Sequence, residues 1–191
     1  MGCVTLWMQM SLDGFAEGAD QQVHWPVVDE ELCASHLDEL RAADLFLYGR
    51  KTFDIMAGFW PTADRDPAIS PFYVDFAACW KQKPKLVFSR TLRRADWNTR
   101  VVADRLVAEV SALRAESGLR MVLFGGAEIA SEFLRHGLVD EYRLFVHPIR
   151  LGGGVPLFPA TVDTTGLRLV DVTTFDSAVV GMHYRQPASA A

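Results

Sequence analysis

Three short apolar runs in this chain stop in the same abrupt way. Leu45-Phe-Leu-Tyr48 meets Gly49-Arg50-Lys51-Thr52, Leu86-Val-Phe88 meets Ser89-Arg90-Thr91, and Val122-Leu-Phe124 meets Gly125-Gly126-Ala127. A short run that is apolar on both faces, followed by a helical pattern, is the signature of a strand in a parallel sheet covered by helices. In such a sheet the strand ends share one edge. The following helices begin there with unpaired N–H groups, which makes that edge the natural place for an anionic ligand.

The other segments keep the alternation. Val4 to Met10 reads as a central first strand, and Asp13-Gly14 opens a loop that runs to about Pro26. Asp29 is placed to cap a helix to Ala43, with Glu30 and Glu31 at the positive end of its dipole. Thr52 to Ala57 predicts a helical turn or two, ended by Gly58-Phe-Trp-Pro61. Phe72, Phe76 and Trp80 share a face of a helix over 71–80. Strands follow at Lys85–Phe88 and Thr99–Val102, then a helix from Asp104, its cap, to Glu116, closed by Gly118. Arg120–Phe124 reads as a strand and Ala127–His136 as a helix. Past Val139 strands run together: one to Pro148, then a hairpin over about 166–175 and 178–184 that turns at Asp176-Ser177. The expected class is α/β, three-layered, with a mostly parallel central sheet and antiparallel C-terminal strands. The reading is one domain over 1–191, with 187–191 as a flexible tail.

Composition narrows the partners. Half of the residues are hydrophobic and the net charge is −5, which speaks against a general nucleic-acid or anionic-membrane binder. Cys3, Cys33 and Cys79 are scattered, with no C-x-x-C, and fit a reducing compartment. No apolar run approaches the roughly 18 residues of a membrane span, and the N-terminus lacks the basic flank of a signal peptide. The expected location is the cytoplasm.

At the three strand ends, glycine lets a backbone approach phosphate closely, Arg50 and Arg90 offer planar forks, and Thr52 and Ser89 offer hydroxyls. Each segment alone also reads as a solvated turn. The G-x-G-x-x-G and Walker A spacings are absent. It is the recurrence of the pattern on three strand ends that points to a phosphate cradle.

Four segments, M-S-L-D-G-F at 10–15, L-Y-G-R-K-T-F at 47–53, L-V-F-S-R-T-L at 86–92 and V-L-F-G-G-A-E-I-A-S-E-F-L at 122–134, are extended by 139–158. In this order they resemble the dihydrofolate-reductase-like superfamily, above all the reductase domain of the riboflavin-biosynthesis deaminase-reductase and its stand-alone relatives. The resemblance implies a dihydrofolate-reductase-like fold and an NADPH-dependent reductase acting on a small heterocycle, a ribosylaminopyrimidinone or a pterin. It also implies a homodimer. By position, Gly49, Arg50, Lys51 and Thr52 would hold cofactor phosphates, and Ser89 and Arg90 would meet the adenosine 2′-phosphate. Gly125, Gly126 and Ala127 would lie under the pyrophosphate and nicotinamide ribose. Ala127-Glu128 stands where dihydrofolate reductases often carry a third glycine and a base. That departure keeps open an alternative: a nucleotide-binding module of the same fold with little or no catalysis.

For the substrate side the resemblance offers Asp29 or Glu30 as the acid under the ring, and Asp13 of Ser-Leu-Asp-Gly as a second candidate. Asp29 also reads as a helix cap and Asp13 as a turn former. Trp25 is a candidate stacking surface, Gly153 a point of close approach within Gly152-Gly153-Gly154, and Phe158 a pocket wall. His24 and His147 are candidate proton donors that read equally as structural residues. No His/Cys/Asp cluster has metal spacing, and the H-x-E…P-C-x-x-C signature of zinc deaminases is absent.

Overall fold

A computed structural model describes residues 1–19, 25–65, 69–116, 118–158, 160 and 166–187. The chain runs β1 (Cys3–Ser11), β2 (Phe15–Glu17), α1 (Glu30–Ala42), β3 (Leu45–Gly49), α2 (Arg50–Ala63) and α3 (Pro71–Gln82). It continues through β4 (Lys85–Phe88), β5 (Thr99–Val102), α4 (Leu106–Ala115), β6 (Arg120–Phe124) and α5 (Ala127–Arg135). It ends with β7 (Glu141–His147), β8 (Val155–Pro156), β9 (Arg168–Thr174) and β10 (Val180–Arg185).

Among the described residues, eight strands form one sheet in the order β5-β4-β3-β6-β1-β7-β10-β9. The first five pairings are parallel, and β10 pairs antiparallel with both β7 and β9. The expected α/β class and its antiparallel C-terminal edge are what the chain adopts. One face of the sheet packs Leu6, Leu123 and Leu144 against Val110 of α4 and Phe133 of α5. The other packs Phe46, Tyr48 and Phe124 against Leu40 of α1, Phe53 of α2 and Trp80 of α3. Both faces of β3, β4 and β6 are therefore dry, which is why these strands show no polar alternation.

Four local details differ from expectation. Gly58 and Pro61 do not end α2, which continues to Ala63. Pro61 is buried, and Trp60 stacks on Phe76 of α3 at 4.0 Å, so tertiary packing holds the last turn that the proline weakens. Helix α4 is not capped by Asp104: Arg105, in the left-handed region at φ 66°, precedes its first residue. The short pair β2–β8 was not expected from sequence. In β9 the pairing partners jump from Leu169 to Asp171, so Val170 is a bulge. The bulge places Leu169 and Val172, three residues apart, on the same face. His24 and most of the proposed C-terminal tail lie outside the described residues. Among the described residues no helix is long and apolar enough to cross a membrane.

Candidate functional site

Strands β4, β3 and β6 are neighbours in the sheet, so their C-terminal ends lie side by side. Helix α2 starts directly after β3 with Gly49 as its N-cap, and α5 starts after β6 with Gly126 as its N-cap. Neither glycine offers a side chain to the first turn. The opening N–H groups of both helices therefore lack side-chain caps from the N-cap position. Between them and the Ser89-Arg90-Thr91 turn lies a cavity of about 730 Å³. Gly49, Arg50, Lys51, Thr52, Ser89, Arg90, Gly126 and Ala127 all line it. Gly125 lines the adjoining cavity of about 240 Å³.

The two glycines after β6 lie tight against neighbouring side chains. A Cβ on Gly125 would lie 1.8 Å from Met8 Sδ, and one on Gly126 would lie 2.9 Å from Thr52 Oγ1. Thr52 donates its hydroxyl to the Gly125 carbonyl at 2.6 Å, so in this arrangement its proton ties α2 to β6. Ser89 Oγ accepts from the Leu92 N–H at 2.9 Å and shapes its own turn. Arg50 pairs with Asp54 at 2.8 Å and Lys51 with Glu128 at 3.1 Å, both at the surface. Among the described residues Arg90 has no ion-pair partner, and it is exposed at the cavity wall.

The site also contains a carboxylate that sequence reasoning missed. Glu17, buried in β2, accepts the Ala127 N–H at 2.9 Å and so occupies the N-terminus of α5. One member of the glycine triplet packs against its backbone. Gly154 (φ +135°) lies so close to β2 that a Cβ there would be 2.0 Å from the Glu17 carbonyl oxygen. A Cβ on Gly153, the triplet member singled out from sequence, would meet nothing within 4 Å.

The cavity continues inward. Glu17, Lys51, Thr52 and Gly126 line both the first space and the 240 Å³ space, which is otherwise walled by Trp25, Met56 and Phe124. Trp7, Gln9 and Pro26 carry it on into a third space of about 350 Å³, bounded by His36, Trp60 and Phe72. A polar, partly cationic antechamber thus leads to an aromatic trough. Burial pushes the His147 imidazole down to about 4 and that of His36 to about 3, so both are neutral at ordinary pH.

The acid candidates lie elsewhere. Asp29 caps α1, accepting from Leu32 N at 2.7 Å and from Ser177 N at 2.6 Å. Donors from Ser177 and the Leu32 backbone hold its carboxyl below the usual range, a poor property for a proton donor. Glu30 is exposed on the first turn of α1. Asp13 accepts from the Ser11 hydroxyl at 2.7 Å and the Gly152 N–H at 2.8 Å, which pin the turn after β1 and lower its pKa. Phe158 lies against Tyr142, on the sheet face opposite Trp7, and lines none of these three spaces. Trp25 does line the trough, packed edge-on to His147 at 5.5 Å.

Comparison with known proteins agrees with this architecture. The RibD C-terminal domain family matches residues 3–180. An uncharacterized Bacillus subtilis (strain 168) protein, YyaP, is 36% identical over 184 residues, covering 95% of this chain and 93% of its own. A solved structure from Shewanella sp. PV-4 superposes with a TM-score of 0.72 at 23% identity, over 97% of this chain and 99% of that one. Dihydrofolate reductase from Enterococcus faecalis, complexed with NADP(H), gives 0.65 at 14% identity over 97% of each chain.

Proposed function

This chain belongs to the RibD C-terminal domain family, and we propose that it is an NADPH-dependent reductase of a small, flat heterocycle of the pyrimidinone or pterin type. The observation that carries this reading is the convergence of two helix starts and the Ser89-Arg90 turn on one cavity that opens into an aromatic trough. The donor set fits a dinucleotide. The N–H groups at the start of α2, with Arg50 and Lys51 beside them, suit a pyrophosphate. Arg90 suits a further phosphate on the adenosine ribose, and Gly126 lines the cavity beside it. When bound, the cofactor supplies the hydride. The chain's own part is to orient the ring partner between Trp25, Met56 and Phe124 and to exclude water from that trough.

Titration with NADPH and NADH, followed by tryptophan fluorescence, tests the reading. Tighter binding of NADPH is expected. Arg90→Ala should cost about 10- to 100-fold in NADPH affinity and leave NADH nearly unchanged, as loss of a charge-assisted contact predicts. Equal binding of the two cofactors, or of neither, refutes the assignment.

The same proposal extends to assembly. Strand β9 is exposed along its length, and Leu169 and Val172 continue the apolar face formed by Met182 and Tyr184 of β10. A second copy of this chain is the natural cover, because a twofold axis presents the same face to itself. Leu169→Lys with Val172→Lys is expected to convert a dimer to a monomer in sedimentation velocity. An unchanged dimer would place the interface elsewhere.

A further inference from the structure

Gln9 is a polar residue between Met8 and Met10 in the central strand β1, and it lines both inner spaces of the trough. Its orientation follows from a backbone group that cannot be reversed. The Val27 N–H donates to Nδ1 of His147 at 3.1 Å, so that nitrogen carries a lone pair. The neutral ring then holds its proton on Nε2, which is hydrogen-bonded to the Gln9 side chain at Oε1. Only the carboxamide oxygen can accept that proton. The Gln9 NH2 is therefore turned away from His147, and among the described residues it has no protein acceptor.

The register explains why the two side chains meet. Parallel pairing sets Gln9 opposite Phe145 and Ser11 opposite His147, so Gln9 and His147 are diagonal neighbours on one sheet face. His147 is fully buried, with Trp25 packed edge-on against it. A flipped carboxamide would set NH2 against N–H and leave a buried donor unanswered.

We propose that His147 is a positioning residue that locks Gln9 as a hydrogen-bond donor to the ring held in the trough. The site thereby selects flat heterocycles presenting a carbonyl over those presenting an amine at the same position. The inference deepens the reductase reading and takes from it the assignment of the trough to the substrate. A pocket built to donate rejects an amine because two donors then face each other.

Lumazine and 2,4-diaminopteridine share one bicyclic frame: at positions 2 and 4 lumazine carries carbonyls, with N–H at N1 and N3, and the diamine carries amines, with both of those nitrogens unprotonated. Each is titrated against the full chain, with NADPH titrated separately. The wild-type protein is expected to favour lumazine by about tenfold or more, the loss typical of an unmatched hydrogen-bond donor. Gln9→Glu presents an acceptor instead and should reverse the order. His147→Leu frees the carboxamide to turn and should bring the ratio close to one. NADPH affinity should stay within about twofold in His147→Leu, since His147 lines neither the outer cavity nor the space beside Gly125 and Gly126. A merely structural defect would weaken both pteridines together and leave their ratio unchanged. The proposal is overturned if wild-type protein binds neither pteridine, shows no preference or prefers the diamine, or if Gln9→Glu keeps the wild-type order. Failure to bind NADPH alongside an intact lumazine preference would instead overturn the reductase assignment and uphold this one.

Discussion

Gly154→Ala is expected to lower stability by about 3 kcal/mol, while Gly153→Ala next to it changes stability by less than about 0.5 kcal/mol. The two residues differ in what surrounds them. At Gly154 the backbone holds φ +135°, which L side chains rarely adopt, and the added carbon would lie 2.0 Å from the carbonyl oxygen of Glu17. Backbone cannot step aside as a side-chain tip can, so β2 and β8 must separate. At Gly153 the added carbon meets nothing. Thermal melts of the two variants check this, with an expected drop of about 6–12 °C for Gly154→Ala alone in a chain of this size. The Gly154 variant should also disturb NADPH binding, because Glu17 and Val155 both line the outer cavity. Equal melting temperatures for the two variants would show that the close approach of Gly154 to β2 is not a constraint.

Acid should destabilise this protein well above the pH at which carboxylates protonate. His36 and His147 have folded-state pKa values depressed to about 3 and about 4, in both cases chiefly because burial disfavours the charged ring. The charge of His147 adds to the depression at His36, and Asp29 opposes it weakly. In the unfolded chain both titrate near 6.5. Between about pH 6.5 and 4 the unfolded state therefore binds more protons than the folded one, and stability falls as pH falls. The contribution is fully present above the unfolded value and is lost progressively down to the folded values. Each histidine accounts for about 3 kcal/mol across that interval. Urea unfolding at pH 7.0, 6.0, 5.0 and 4.5 measures the slope. His36→Leu should remove about half of it, one proton of two. Its cost at neutral pH should be small, because the buried Nε2 of His36 has no hydrogen-bond partner to lose. A slope of zero between pH 7 and 5 would contradict the prediction.

The fold was legible where chemistry changes sharply along the chain. Tyr48-Gly49, Phe88-Ser89 and Phe124-Gly125 each mark a buried strand meeting a solvated edge, and such boundaries survive any tertiary arrangement. The length of α2 was not legible. Gly58 and Pro61 are local breakers, and what overrides them is the stacking of Trp60 on Phe76, a contact across the α2–α3 junction. The outer cavity was legible for the same reason as the strands: its lining is contiguous in short motifs. The inner trough was not. Glu17 reaches the start of α5 across 110 residues, and its own neighbours read only as polar loop. Asp29 showed two competing signals, and the geometry gives its oxygens to the cap of α1 and to Ser177. Gln9 did leave a trace, a lone amide in an apolar central strand. Its partner His147 lies 138 positions away, and only the β1–β7 register brings them together.

The carboxylate of Glu17 also changes what an affinity means at this edge. The first N–H of α5 is already answered from within the chain, by a side chain whose backbone is held in β2 against β8. Negative charge arriving from solution and the charge of Glu17 draw on the same helix end. Such a competition is reciprocal: the factor by which a docked Glu17 weakens an incoming anion is the factor by which that anion loosens Glu17. The protein carries its own tethered competitor. An equilibrium constant measured for a phosphate ligand at α5 is therefore a ratio of two occupancies, one of them internal.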